Sequence, residues 1–163
     1  MPDRIELRPR SAADLPACVA ALREVHERDG YPQRWPVDPP GWLDPPGLAG
    51  AWVAVADGAV HGHVALVADG ADALVLSRLY VAAAARGTGL AGRLLDLAVT
   101  QAGARSLWLE VMDDAAPAIR LYERAGWHLV ERRPASWVGP AGRSTVRVYR
   151  AVSAYPHGRS GSG

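Results

Sequence analysis

The stretch from Leu79 to Thr100 constrains the fold of this 163-residue chain more than any other. A segment rich in Val and Leu, typical of a β-strand, ends at Val81, and an amphipathic helix begins near Leu90. The loop between them carries two glycines in Arg-Gly-Thr-Gly-Leu-Ala, residues 86–91. Glycine adopts backbone angles closed to other residues, and the first turn of a helix offers unpaired N–H groups. The loop therefore predicts an anion site, most naturally for a phosphate or pyrophosphate.

The same loop contains a Gly-x-Gly-x-x-Gly pattern, Gly87 to Gly92, which is also the fingerprint of dinucleotide binding. That fingerprint places its first glycine almost directly after a strand, in a βαβ unit early in a domain. Here residues 82–86 intervene, and Asp57-Gly58 and Asp69-Gly70 indicate antiparallel hairpins before the loop. A nicotinamide oxidoreductase is therefore a distant alternative, and an ordinary glycine-rich turn before a core helix is another.

The composition is that of an ordinary globular protein, with 49% hydrophobic and 21% charged residues. The formal net charge of +1 does not favour binding to nucleic acid or to an acidic membrane surface. A single cysteine excludes an intrachain disulfide. Because the chain shows neither a secretory signal nor an apolar run of ~20 residues, we expect a cytoplasmic protein. We predict one domain over residues 1–152 and a disordered tail over 153–163.

Periodicity and turn residues predict the order strand, helix, irregular segment, three antiparallel strands, loop and helix, strand, helix and two strands. The irregular segment, residues 31–50, holds six prolines, which exclude a long helix. Its tryptophans, Trp35 and Trp42, either line a pocket or pack on the core. His61 and His63 share one face of a strand and could share a metal, but no third ligand is near. Solvated or pocket-lining histidines are the better expectation.

Two motifs in this order resemble the GCN5-related N-acetyltransferase (GNAT) family, over about residues 4–152. Arg86-x-x-Gly89-x-Ala91 resembles the family's acyl-CoA pyrophosphate loop. The second motif resembles the ribosomal-protein alanine N-acetyltransferase branch, and its matching residues are Ala118, Leu121, Tyr122, Glu123, Gly126 and Trp127. The Asn of that motif is replaced by Ala115, so one polar contact to CoA is either missing or supplied by Asp113 or Asp114.

The resemblance implies an α/β fold, with a mixed, mostly antiparallel sheet between flanking helices that is splayed at the acyl-CoA site. It implies acetyl-CoA as cosubstrate and no metal. In the family, the strand end binds the pantetheine arm through its backbone, and the loop binds the pyrophosphate. The residues implied to contact the cosubstrate here are Leu79, Tyr80, Val81, Arg86, Gly87, Thr88, Gly89, Leu90, Ala91 and Ala118.

The resemblance also implies catalytic roles for Tyr122 and Glu110. Tyr122 matches the general acid that protonates the CoA sulfur, and a core tyrosine is the alternative. Glu110, twelve residues earlier, is the candidate base, weighed equally against a solvated strand glutamate. A lysine-like amine of pKa ~10.4 is rarely neutral at pH 7, so such an acceptor needs a base most.

We therefore expect an N-acetyltransferase that moves acetyl directly from acetyl-CoA to a primary amine of a small molecule or peptide. A non-catalytic acyl-CoA-binding or regulatory module is the alternative, because Ala115 departs from the motif. The sequence does not identify the acceptor, and the oligomeric state stays open, a homodimer included. The residues that could shape the acceptor pocket are Trp35, Trp42, Trp137, His61 and His63.

Overall fold

The computed structural model describes residues 4–137 and 142–152. In them, seven strands form one sheet: β1 (Glu6–Pro9), β2 (Leu48–Ala56), β3 (Ala59–Ala68), β4 (Ala73–Val81), β5 (Ser106–Met112), β6 (His128–Pro134) and β7 (Thr145–Arg150). The helices are α1 (Leu15–Asp29), α2 (Pro39–Trp42), α3 (Leu90–Ala102) and α4 (Ala116–Arg124). The predicted order of elements is confirmed, whereas the predicted tail, residues 153–163, lies outside the described residues.

The strand order is β1-β2-β3-β4-β5-β7-β6, and β4 with β5 is the one parallel pair of the described sheet. All other neighbouring strands are antiparallel. This arrangement confirms the predicted mixed, mostly antiparallel α/β fold. The proline-rich segment, residues 31–50, contains one short helix, the four-residue α2, as its prolines require, and the start of β2 at Leu48.

The sheet opens between β4 and β5. The two strands pair only from Ala73 with Ser106 to Val75 with Trp108. Beyond these pairs, residues 76–81 of β4 have no partner on the β5 side. The predicted splay is therefore present, and it leaves the carboxyl-terminal half of β4 with one free backbone edge.

A β-bulge interrupts β4 at Arg78, where the register against β3 shifts and φ is 54°. Before the bulge, Leu76 packs with α3 and α4 on one face of the sheet. After it, Tyr80 packs with α1 on the opposite face, whereas Leu79 and Val81 pack on the α3 side. The bulge inserts one extra residue into β4, so the side chains after it point to the opposite face from the one that the alternation before it predicts.

Two apolar clusters hold the helices on opposite faces of the sheet, because neighbouring residues of β2 point to different clusters. Ala54 belongs to the cluster beneath α3 and α4, and Val53 to the cluster beneath α1. Cys18 is fully buried in the α1 cluster, as its position on the apolar helix face predicts. No helix in residues 4–137 or 142–152 is long and apolar enough to cross a bilayer.

Candidate active site

The loop before α3 has the geometry of an anion cradle. Gly87 and Gly89 have φ angles of 75° and 80°, a region that favours glycine. The backbone amides of residues 87–92 donate no hydrogen bond to another described residue. A Cβ atom at either glycine would meet nothing within 4 Å, so the loop borders open space. Six successive free amides at a helix N-terminus suit a pyrophosphate, and the predicted residues of this loop therefore fit the CoA moiety.

Arg86, the cation of that loop, is bound to Asp29 at the end of α1. The hydrogen bond to Asp29 raises the pKa of Arg86 above its ordinary range and lowers that of Asp29. Both side chains are more than a third exposed, and an exposed ion pair of this kind contributes little stability. Arg86 can therefore exchange the carboxylate for a phosphate with little loss.

The open end of β4 provides the backbone for the rest of the cosubstrate site. Leu79, Tyr80 and Val81 lie in the part of the strand that has no partner on the β5 side. The Tyr80 side chain is buried and its hydroxyl donates to the Cys18 carbonyl oxygen at 3.0 Å. Tyr80 can therefore contact the pantetheine arm only through its backbone.

Tyr122 lies on α4, one turn after Ala118, with its ring packed against Trp127 and Tyr149 at centroid distances of 6.0 and 6.2 Å. The residue is 8% exposed. Its hydroxyl makes no hydrogen bond with another described residue. Burial raises the pKa of Tyr122 well above its ordinary range, and the nearby Tyr31 phenol adds to this. The hydroxyl is therefore a protonated and uncommitted donor.

Glu110 lies on β5, and its carboxylate is bound to Arg133 of β6. The hydrogen bond that Arg133 donates to Glu110 raises the pKa of Arg133, which also contacts Glu131 at 3.0 Å. The Arg133 guanidinium carbon lies 5.6 Å from the centroid of the Trp108 ring. The Glu110 side chain is 21% exposed and is paired with Arg133, so it is neither fully solvated nor without a counterion. To accept a proton from a substrate, this carboxylate must first release Arg133.

Ala115 stands at the N-cap of α4, and no side chain caps this helix. Asp113 does not replace the missing Asn, because its Oδ1 accepts hydrogen bonds from Arg147 at 2.6 Å and Arg132 at 3.3 Å. Asp114 is exposed and makes no side-chain hydrogen bond with another described residue. In the first turn of α4, the Ala116 amide donates to the Asp114 carbonyl oxygen at 2.9 Å and Pro117 has no N–H, so the Ala118 amide is the backbone donor that stays available.

On the α1 face of the opening, the structure assembles residues that the sequence did not single out together. The Arg78 guanidinium stacks on Trp42, with its carbon 4.0 Å from the ring centroid. Arg78 Nε donates to the Trp42 carbonyl oxygen at 3.0 Å, and Nη1 donates to Ser77 Oγ at 3.0 Å. Tyr31 packs edge-on against Trp42, with a centroid distance of 6.1 Å, and is 37% exposed.

His63 connects this group to the rest of the fold. It is fully buried between Arg10, whose Nη1 donates to His63 Nε2 at 3.0 Å, and the Arg78 carbonyl oxygen, 2.8 Å from His63 Nδ1. Since arginine can only donate, Nε2 is the acceptor and Nδ1 carries the proton. Burial lowers the pKa of His63 to about 4, so the ring is neutral. The expectation of a solvated or pocket-lining histidine is wrong for His63, because its ring completes a buried network.

The other pocket candidates are separate from this network. His61 is half-buried, and its Nδ1 has no partner among the described residues. Trp35 packs against the α1 cluster, with the Arg23 guanidinium carbon 4.6 Å from its ring centroid. Trp137 is 42% exposed and is followed by residues 138–141, which the structure does not describe. The described ranges contain no group of three or more His, Cys, Asp or Glu residues that could hold a metal.

Comparisons with known proteins agree with this geometry. The model of the acetyltransferase (GNAT) family matches residues 15–127. The fold is similar to that of the ribosomal-protein-S18-alanine N-acetyltransferase from Escherichia coli, with a TM-score of 0.75, 20% identity, and coverage of 96% of this chain and 98% of that one. It is also similar to Arabidopsis thaliana NAA60 in complex with acetyl-CoA, with a TM-score of 0.66, 24% identity, and coverage of 91% and 100%.

A third similar structure is the ribosomal-protein-alanine N-acetyltransferase from Brucella melitensis, with a TM-score of 0.72, 22% identity, and coverage of 90% and 99%. No curated protein matches the chain significantly in sequence. At these identities the solved structures establish the fold, whereas the family model covers more than half of the sequence. The splayed sheet, the amide-lined loop and the matched motif together show that the chain belongs to the GNAT family of acetyltransferases, enzymes whose cosubstrate is acetyl-CoA.

Proposed function

We propose that this chain is an N-acetyltransferase in which Tyr122 is the general acid for direct transfer of acetyl to a primary amine. The observation that carries the proposal is the state of the Tyr122 hydroxyl, which is protonated and makes no hydrogen bond with another described residue, although Tyr122 is only 8% exposed. A tyrosine that served only to pack the core would normally have its buried hydroxyl hydrogen-bonded.

The reaction forms one bond and breaks another. The amine nitrogen attacks the thioester carbonyl carbon, the C–N bond forms, and the C–S bond breaks. Tyr122 gives its proton to the departing sulfur, and the ammonium proton passes to a base or to water. Because burial raises the pKa of Tyr122, its phenolate does not persist, so proton donation accompanies C–S cleavage and solvent restores the hydroxyl.

The ion pair of Glu110 favours an acceptor that needs little help from a base. An α-amine of pKa near 8 requires about 1.4 kcal/mol to become neutral at pH 7, against about 4.6 kcal/mol for a lysine-like amine. A carboxylate held by Arg133 is a hindered base. We therefore favour a peptide α-amine as acceptor, with Glu110 assisting when Arg133 releases it, and expect the more basic α-amine of a free amino acid to depend more on Glu110. Because ribosomal-protein alanine N-acetyltransferases share the fold, a screen for the acceptor should include peptides with a free N-terminus.

A non-catalytic acyl-CoA-binding module is the second candidate function. The observation in its favour is the uncapped start of α4, where Ala115 offers no side-chain contact. Acetyl-CoA would raise the melting temperature of such a module, but no amine would cause the module to release CoA from it. The proposed enzyme releases CoA only when an acceptor amine is added.

The test compares Tyr122→Phe with Tyr149→Phe in an assay of CoA release with acetyl-CoA and a panel of amino acids and peptides. Tyr122→Phe keeps the ring but removes the donor, so kcat should fall ten-fold or more, within the range of acid–base catalysis. Binding of acetyl-CoA and the melting temperature should change little.

Tyr149 is the matched control, because its buried ring packs beside Tyr122 and its hydroxyl donates to Glu123 at 2.7 Å. Tyr149→Phe removes a hydroxyl from the same aromatic group and should leave kcat near that of the unmodified protein. Full turnover in Tyr122→Phe would mean that water or another group protonates the thiolate.

A further inference from the structure

We infer that Arg78 binds a carboxylate of the acceptor, so that the acceptor is an amine carrying a carboxylate a few bonds from its nitrogen. This inference rests on the proposed acetyl transfer and names the substrate class of the same site. It rests on four features of Arg78: its charge is uncompensated, its position is in the sheet opening, its backbone is fixed, and its guanidinium has one open edge.

The charge of Arg78 has no counterpart in the described chain. The side chain is half-buried, and no carboxylate of the described residues forms an ion pair with it. Its three contacts are neutral: the Trp42 carbonyl oxygen, the Trp42 ring and the Ser77 hydroxyl. Arg10, on the other side of His63, is also buried but is paired with Asp44 at 3.1 Å. A half-buried charge without a counterion is expensive unless a ligand supplies one.

The position of Arg78 places this charge in the sheet opening, next to the strand end that is proposed to hold the cosubstrate. Arg78 lies in the part of β4 that has no partner on the β5 side, directly before Leu79. Its side chain points to the α1 face, where it stacks on Trp42. Tyr31 packs edge-on against the same Trp42 ring at a centroid distance of 6.1 Å, so aromatic side chains border the cation. A molecule bound to Arg78 would therefore have its amine near the sheet opening.

The backbone that carries Arg78 is held in an uncommon conformation. A φ of 54° is unusual for an arginine, and such residues concentrate at functional sites. His63 stabilises the bulge by donating from Nδ1 to the Arg78 carbonyl oxygen, and Arg10 fixes the other ring nitrogen. The guanidinium is thus preorganised by a buried network rather than by contacts with other charges.

The open edge of the guanidinium suits a carboxylate. Nε and one hydrogen of Nη1 are used inside the protein, whereas Nη2 has no partner among the described residues. The free edge presents parallel N–H groups, the arrangement that binds a planar carboxylate in a bidentate manner. A single positive charge also matches a carboxylate better than a phosphate dianion. Trp42 covers one face of the guanidinium and so directs the ligand to that edge.

The experiment measures kcat and KM for matched acceptors: alanine and alaninamide, β-alanine and its amide, and Ala-Ala and its amide. Rates are compared per fraction of neutral amine, because the amides have more acidic ammonium groups. We expect one carboxylate member to exceed its amide by about ten- to a hundred-fold in kcat/KM, mainly through KM. Arg78→Gln should remove this preference, and Arg78→Lys should keep part of it, with the KM for acetyl-CoA unchanged in both.

Arg23→Gln is the matched control, because Arg23 also stacks on a tryptophan but is exposed on α1. It should keep the preference for the carboxylate. Equal kcat/KM for every acid and its amide in the unmodified protein would overturn the inference, whether or not the Arg78 variants fold.

A separate measurement distinguishes failure of the inference from failure of the proposed function. Calorimetry of N-acetylalanine with the protein–CoA complex reports carboxylate binding without turnover. If no amine is acetylated, the proposed enzyme is refuted, and binding of N-acetylalanine that is lost in Arg78→Gln and partly kept in Arg78→Lys still supports the carboxylate site. Absence of that binding, together with no turnover, overturns both.

Discussion

The two sides of the sheet opening are built in different ways. On the cosubstrate side, the donors are backbone amides of one continuous segment, residues 87–92, beside an exposed arginine. On the proposed acceptor side, the polar groups are side chains from β3, β4 and the segments around Arg10 and Trp42, joined through a buried histidine. The first side depends on backbone conformation and the second on a particular set of side chains. Substitutions should therefore affect the two sides separately.

The largest expected effect is the loss of acetyl-CoA binding in Gly89→Val. A β-branched residue at φ 80° is a conformational outlier, so the amide cradle cannot keep its shape. Acetyl-CoA should raise the melting temperature of the unmodified protein, because it binds the native state. Gly89→Val should show no such rise.

Gly58→Val is the control for Gly89→Val. Gly58, in the β2–β3 turn, has a φ of 75° and the same open surroundings, so the valine imposes similar strain far from the loop. This variant should lose stability yet keep the rise in melting temperature with acetyl-CoA. A normal rise in folded Gly89→Val would refute the assignment of the loop.

The next largest effect concerns Glu110, whose ion pair crosses from β5 to β6. If Glu110 accepts the amine proton, Glu110→Gln should slow turnover by about 10²–10⁴-fold below the acceptor pKa and recover as pH rises. The measurement is a pH–rate profile of kcat/KM. Glu131→Gln, which removes the other carboxylate partner of Arg133, should leave the profile unchanged.

A uniform loss at every pH in Glu110→Gln would assign the residue to structure, as a partner of Arg133. Arg133→Gln sharpens the result, because it frees Glu110 and should preserve or raise the rate at low pH. Equal slowing of both variants at all pH values would show that the ion pair itself is required.

The same difference between the two sides explains which features the sequence could predict. The loop before α3 and the motif around Tyr122 are local patterns, so their elements could be predicted from spacing, and the GNAT fold from the resemblance of the two motifs to that family. The bulge at Arg78 depends on a register shift between β3 and β4, which no local pattern reveals. His63 was expected to be solvated or to line a pocket because its partners, Arg10 and Arg78, are distant in sequence. The roles of Tyr122 and Glu110 stay predictions.

The buried histidine gives the acceptor side a pH dependence of stability. His63 has a folded-state pKa of about 4, lowered mainly by burial and further by Arg10 and Arg78, against an ordinary value of 6.5. Between these values the unfolded chain binds a proton that the folded protein excludes. The free energy of unfolding should therefore fall as pH drops from about 6.5 to about 4, by roughly 3 kcal/mol.

The measurement is urea unfolding across this pH range for the unmodified protein and two variants. His63→Gln can donate to the Arg78 carbonyl and accept from Arg10, so it should fold and show a flatter profile between pH 6.5 and 4. His128→Gln, at an exposed position on β6, should keep the slope. A slope that survives in His63→Gln would mean that other groups cause it.

The smallest expected effect is a gain on the cosubstrate side from Ala115→Asn. Ala115 is the N-cap of α4, with ψ at 66°, and Pro117 in the first turn has no N–H, so the Ala118 amide is the natural target of a capping side chain. Asp38 shows that such a backbone permits capping, since it accepts from the Gly41 amide at 3.2 Å with ψ at 86°. An N-cap contributes about 1 kcal/mol, which raises the melting temperature by about 2–4 °C in a domain of this size.

Ala115→Val separates capping from bulk, because valine at the same position has no acceptor and should not stabilise the helix. The resemblance to the family further implies that the new amide contacts CoA, so Ala115→Asn should also bind acetyl-CoA a few-fold more tightly. A stability gain without tighter binding would restrict the role of position 115 to the helix. Tighter binding without a stability gain would place the amide on the ligand instead of on the Ala118 N–H, which would make this turn of α4 part of the cosubstrate site.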